Sequence, residues 1–385
     1  MMFQGYPRSN GTFGVRNHLL IFPTVLCANT VAEKISLGLP GSVCVSHPLG
    51  CGHLGPDKEH IIRSMAGFCS NPNVGAVLLV GLGCELITPE TLAPELARTG
   101  QRFEMVSIQE CGGTLKTVEK GRSLGSALLA EIRQIQREPA HIAHLMMGVK
   151  CGGSDTLSGL TANPALGVAA DLLVEEGGTV LLSEVPEMLG AEEVLAKRAA
   201  TAEVKRRIFE ITRAMEDSIL KMGVDVRGSE PSPGNIAGGL TTLEEKSLGA
   251  ILKGGTSPIV EVVPYGVRPH RKGLVIMDGP ALDAVVLSGF SSCGAQVMVF
   301  TTGRGSPLGS AIAPVVKVAT NSQIYARMPD NIDINAGTIV EGKETLREKG
   351  RQILEEVVAA ASGKETASEI LGHREFAIHT LGPTL

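Results

Sequence analysis

Residues 19 to 149 alternate five short, unbroken apolar runs with four stretches of helical periodicity. The runs are LLIFPTVL (19–26), SVCVS (42–46), AVLLVG (76–81), EMVSI (104–108) and AHLMMGV (143–149). The helical patterns lie near 28–38, 57–69, 88–99 and 114–137. A strand apolar at every position must be covered on both faces, and a helix between strands returns the chain for parallel pairing. The expected class is α/β, with two parallel-rich, doubly wound domains.

The second half is less regular. A helix near 163–174, a strand at 179–184 and a long polar helix at 191–222 precede the turn-rich GSEPSPGNIAGG. In TTLEEKSLG, Thr241 or Thr242 with Glu244 or Glu245 three positions on spells a capping box. Strands near 258–263, 273–277, 296–301 and 314–319 and a helix at 343–361 complete a second sheet. The domains expected are 1–140 and 141–385, with sheet ends that can pack across the boundary.

A length of 385 residues and 43% hydrophobic content give ample core. The net charge of −5 comes without a long basic run, which argues against a nucleic-acid surface. No apolar run approaches the ~18 residues of a membrane span. The start, MMFQGYPRSNGTFGVRN, lacks a signal peptide's apolar centre. A cytoplasmic location is expected, where the eight cysteines are thiols, ligands or core filler.

Five of those cysteines follow the five apolar runs: Cys27, Cys51, Cys84, Cys111 and Cys151. Parallel strands end along one edge, and ligands bind in the crevice outside it. The five are therefore expected on one edge of the N-terminal sheet. Small apolar thiols filling tight corners are the alternative. Cys44 and Cys69 fall outside the pattern and are expected to be packing residues. SHPLGCGHLGPD (46–57) also spells a G-x-G-x-x-G fingerprint, but the stretch about 20 positions on, NPNVGAVLLVGL (71–82), has no acid and none comes until Glu85, which weakens a nicotinamide reading.

GVRN (14–17), HPLGCG (47–52), NPNV (71–74), VGLGCE (80–85), QECGGT (109–114) and CGGSDTLSGLTANPALG (151–167) resemble the altronate/galactarate dehydratase family. PGNIAGGLTTLEEKSLG (233–249), FTTGRGSPLG (300–309) and DINAG (333–337) continue the likeness through nearly the whole chain. The resemblance implies an iron-dependent hydro-lyase that turns a sugar acid into a 2-keto-3-deoxy acid. The alternative within the superfamily is a large subunit of the sulfolactate sulfo-lyase kind. Relatives often begin with a small SAF-type domain. This chain begins at the GVRN region, so the resemblance implies a separate small subunit. A homo-oligomer is also expected.

Loss of a proton beside a carboxylate builds enolate charge, which a metal bound to substrate oxygens stabilises. The candidate ligands are Cys51, Cys84 and Cys151, with His47 as a fourth. They suit iron as Fe2+ or an iron–sulfur cluster, between which the sequence does not choose. His53, Glu85 and Lys246 are the acid–base candidates. Arg16, Asn17, Ser154, Asp155 and Arg304 are the candidates for holding the substrate, an arginine fork being suited to a carboxylate.

Overall fold

A computed structural model describes all 385 residues. Its strands are β1 (Met2–Pro7), β2 (Phe13–Gly14), β3 (His18–Pro23), β4 (Ser42–Cys44), β5 (Val74–Gly81), β6 (Phe103–Ser107) and β7 (Glu138–His141). They continue as β8 (Met146–Gly152), β9 (Thr179–Leu182), β10 (Ile259–Pro264), β11 (Gly273–Asp278), β12 (Val297–Thr302), β13 (Val315–Ala319) and β14 (Ile334–Asn335). No helix is long and apolar enough to cross a membrane.

The first sheet runs β4-β3-β5-β6, parallel throughout. The second runs β10-β11-β9-β8-β12-β13-β14, also parallel throughout. The α/β class follows. The fifth apolar run does not extend the first sheet. As β8 it is the centre of the second, paired to β9 and β12. Only four strand-end cysteines can therefore share the N-terminal edge, and Cys151 belongs to the other sheet.

Three further features differ from the sequence reading. A small antiparallel sheet, β2-β1-β7, joins the start of the chain to residues 138–141. The polar helix is two, Glu192–Ala196 and Ala202–Lys221, because Ala199 bridges to Ile259 and Thr201 caps a new start. An unforeseen helix, Asp283–Cys293, has nine of its eleven residues buried, so no polar stripe marks it.

The halves share a core. Leu20, Phe22, Val77 and Leu79 of the first sheet cluster with Met277, Phe290, Met298 and Phe300 of the second half. Cys69 is buried in this cluster. Asn71 and Asn73 clamp the junction. The Asn71 amide donates to the carbonyls of Ser291 (2.8 Å) and Ala295 (2.9 Å), and that of Asn73 to Gln296 (2.8 Å) and Ile312 (3.0 Å). Gly67 lies so near that a Cβ would stand 2.4 Å from the Ser292 carbonyl.

Arg16 and Asn17 serve this assembly, not a ligand. All five Arg16 N–H groups are used: on both Glu369 oxygens at 2.8 Å and on the carbonyls of Val15, Ala360 and Lys364. Asn17 accepts from Arg8 and donates to Ile132. Arg16→Met should cost about 3 kcal/mol, the scale of a broken buried pair. Urea unfolding would read this as a lower midpoint. An unchanged midpoint together with lost substrate affinity would return Arg16 to the active site.

Candidate functional site

At the C-terminal edge of the first sheet the strand order turns back between β3 and β5, the place where such sheets bind ligands. The loops there interlock. Leu26 N–H donates to Leu49 O, Leu86 and Ile87 N–H to Gly50 O, and Gln109 N–H to Leu82 O. Gly50, at φ 110°, lies so close to its neighbour that a Cβ would meet the Thr24 carbonyl at 2.3 Å. Cys27, Cys51 and Cys84 stand exposed on these loops, and Cys111 is half-buried.

The other candidates on this edge are committed inside the fold. His47 is buried: Nε2 meets the Pro23 carbonyl at 2.7 Å and Nδ1 accepts from Leu49 N–H at 3.2 Å. Both ring nitrogens are occupied, so His47 is not free to be a ligand. Burial pushes it down to about 4, against the pull of the Pro23 carbonyl, and keeps it neutral. His53 uses Nδ1 on Asp57 at 2.8 Å and Nε2 on Gly50 N–H at 3.1 Å. Glu85 accepts from Leu82 N–H, Gly83 N–H and the Thr24 hydroxyl. These three side chains shape the loops that carry the thiols.

The second sheet has its own reversal, between β8 and β12. Gly303 and Arg304 N–H both donate to Gly153 O across it, at 3.2 and 2.9 Å. Asp155 accepts from the hydroxyls of Ser158 and Thr320, each at 2.9 Å, and from the Asn321 amide at 3.0 Å. The Ser154 carbonyl accepts from Asn235. Arg304 is exposed with no hydrogen bond from its guanidinium, and it and the Ser154 hydroxyl are the expected substrate-holding groups that remain free for the role.

Beside this crevice lies a buried ionic network. Glu184, fully buried just past β9, holds the Lys150 ammonium through Oε1. Its Oε2 is 2.9 Å from Lys253 Nζ and accepts from Cys151 N–H at 3.2 Å. The Cys151 thiol donates to Glu187 at 3.0 Å. Lys246 lies 2.7 Å from Glu230 and 3.6 Å from Glu187, and Asp283 is 2.8 Å from Lys150. Glu184 is the only non-glycine residue at positive φ, 73°, a costly conformation that the two lysines fix in place. Lys150, Lys253, Glu184, Glu187, Glu230 and Asp283 escaped the sequence reading. The signal was there, a lysine within the apolar run of β8, where no water can reach it.

Burial pushes the Cys151 thiol up, as does Glu187, so it stays protonated. Burial alone would raise Glu187, but Lys253, Lys150 and Lys246 bring it below the usual carboxylate range. For Lys253 and Lys150, burial is outweighed by the acids around them, and both stay charged.

The expected ligands His47, Cys51, Cys84 and Cys151 do not converge. Ligand atoms of Cys151, Glu184 and Glu187 do lie within 4.8 Å of one another, a spacing that could hold an ion. Lys253 Nζ already occupies that position, 3.1 Å from Cys151 Sγ, 2.9 Å from Glu184 and 3.6 Å from Glu187. Three ammonium groups surround this position, so an ion there would compete with Lys253 for the same oxygens. The thiols of Cys27, Cys51 and Cys84 are exposed and, as thiolates, are soft donors of the kind iron takes.

Two family models match the chain. One described as D-galactarate/Altronate dehydratase, C-terminal, covers residues 142–384, and the second domain of D-galactarate dehydratase/Altronate hydrolase covers 5–133. The altronate dehydratase of Bacillus subtilis (strain 168) is 38% identical over 100% of this chain and 78% of its own length. The galactarate dehydratase (L-threo-forming) of Escherichia coli (strain K12) is 38% identical over 99% of this chain and 77% of its own. The (2R)-sulfolactate sulfo-lyase subunit beta of Chromohalobacter salexigens is 34% identical over 98% and 97%. The chain belongs to the D-galactarate/altronate dehydratase family.

Proposed function

We propose that this chain is a hydro-lyase that dehydrates a sugar acid such as altronate or galactarate to a 2-keto-3-deoxy acid. The observation that carries the reading, beside family membership, is the concentration of Lys150, Lys246 and Lys253 at the reversal of the second sheet. Proton loss next to a carboxylate leaves an enolate-like dianion. Fixed ammonium groups shielded from water stabilise such charge without reorganising as it forms. Glu187 and Lys246 are the acid–base couple: the carboxylate takes the proton, and the ammonium protonates the departing hydroxyl. Arg304, free at the same crevice, takes up a substrate carboxylate.

Iron is proposed to bind at the exposed thiols of Cys51 and Cys84, with Cys27 on an adjoining loop of the same sheet edge. When bound it would polarise substrate oxygens as a Lewis acid. The two edges are linked by the chain's last segment. Glu375 accepts from Gly309 N–H, while Leu381 N–H donates to Asp57 and Leu385 N–H to Gly52 O. A cytoplasmic location suits eight free thiols.

The second reading is a C–S lyase of the sulfolactate kind, favoured by the 97% coverage of the sulfo-lyase subunit beta. Under either reading we propose a separate SAF-type small subunit, matching the part of the dehydratases that this chain does not align with. Anaerobic protein with iron should be incubated with altronate, galactarate and sulfolactate, with and without that subunit. A keto-deoxy acid, formed much faster with the subunit, is expected. Sulfite from sulfolactate alone would select the second reading, and full activity of the isolated chain would remove the subunit.

A further inference from the structure

We infer that Lys317, on β13 beneath the 303–309 loop, is the recognition point for a carboxylate of the substrate. This rests on the sugar-acid reading and deepens it. Four lysines are buried in the chain: Lys150, Lys253, Lys317 and Lys349. Three have a carboxylate within salt-bridge reach, Lys150 at Glu184 and Asp283, Lys253 at Glu184 and Glu187, and Lys349 at Glu344. Lys317, fully buried, has none.

Its ammonium makes one hydrogen bond, to the Ser306 carbonyl at 3.1 Å. Two of its three N–H donors are left without a partner, in a place where leaving them so is expensive. Lys150, Phe300 and Lys317 are in register across β8, β12 and β13, and each ammonium lies 5.4 Å from the Phe300 ring centre. Along this row Lys150 is neutralised by Glu184 and Asp283, whereas the Lys317 end waits for an anion. The same loop carries Arg304, whose guanidinium is exposed and uncommitted. An ammonium and a guanidinium on one loop–strand corner suit a carboxylate, the group that every sugar acid carries.

The charged groups around Lys317 are Asp333 before β14, Glu375 in the last segment and Asp283 at its helix start, with Lys150 beyond the ring. The three acids raise its pKa, but burial dominates and brings it down to about 8. The ammonium is therefore present at neutral pH and is lost as pH rises through that value.

Calorimetric titration with galactarate, altronate and tartrate tests the assignment on wild type, Lys317→Met and Lys317→Gln, alongside thermal unfolding. Wild type should bind at pH 7, with affinity falling about tenfold per pH unit well above 8. Lys317→Met should weaken binding by about 30-fold or more and raise the melting temperature, because an unpaired buried ammonium has been removed. Lys317→Gln should weaken binding similarly. Wild-type affinity in both variants overturns the inference, as does a lowered melting temperature in Lys317→Met or wild type binding none of the three acids. Wild type that binds them through Lys317 but releases no water from them leaves the inference standing and refutes the dehydratase reading.

Discussion

Glu184→Gln should lower the unfolding free energy by about 3–5 kcal/mol, the cost of removing one partner from a buried charge network. The carboxylate neutralises Lys150 at one oxygen and Lys253 at the other, and receives Cys151 N–H as well. A neutral amide can replace one of these acceptors and turns a donor toward another. Lys150 would keep Asp283 at 2.8 Å, but the one carboxylate left to Lys253 would be Glu187, at 3.6 Å, beside the uncharged Cys151 thiol and Ala250 carbonyl. Native proteins hold only about 5–15 kcal/mol in reserve, so low soluble yield and an early urea transition are expected. The double variant Glu184→Gln/Lys253→Met removes an orphaned ammonium and should recover part of the loss, with a coupling of about 1–3 kcal/mol. A single variant as stable as wild type would show that the network is not held as described.

The strand pattern was legible because parallel strands between helix layers must be apolar on both sides. Runs 19–26, 42–46, 76–81 and 104–108 became β3 to β6 with shifts of a few residues. The cap in TTLEEKSLG was legible for a local reason: Thr242 accepts from Glu245 N–H and the Thr241 hydroxyl donates to Glu245. The sheet to which a strand belongs is not a local property. Residues 143–149 carry the same apolar signal as the runs before them, and only β12, some 150 residues later, makes β8 a central strand of another sheet.

The site divides in the same way. Loop cysteines after strands could be placed from sequence, since a parallel sheet puts such loops on one edge. The ionic network could not, because β8, the turn after β9 and the helix-end residue Lys253 meet only through the fold. Histidines beside glycines drew attention as ligands, yet His47 and His53 are spent on backbone groups and Asp57. Charged residues inside apolar runs were the more telling signal. Lys150 and Lys317 each interrupt a buried strand, and burying an ammonium there requires a partner in the protein or in a ligand.

Lys246→Met should leave the fold intact and lower kcat by about 10²–10⁴-fold, the usual contribution of a positioned acid or base. Lys246 sits on the helix Leu243–Ile251, near the mouth of the network, 2.7 Å from Glu230 and 3.6 Å from Glu187. Without it, Glu187 still has Lys253 and the Cys151 thiol, and Glu230 is partly exposed, so little stability depends on the ammonium. Burial would lower its pKa, but Glu187 and Glu230 raise it above that of an ordinary lysine. The acid form therefore persists through the neutral range, and its loss limits activity only at alkaline pH. Lys246→Arg separates charge from proton donation. Guanidinium keeps the positive charge but gives up its proton far less readily. If Lys246 protonates the leaving hydroxyl, Lys246→Arg should retain KM and thermal stability while kcat stays near that of Lys246→Met. Recovery of kcat in Lys246→Arg would reduce Lys246 to a fixed charge and move the proton donor elsewhere.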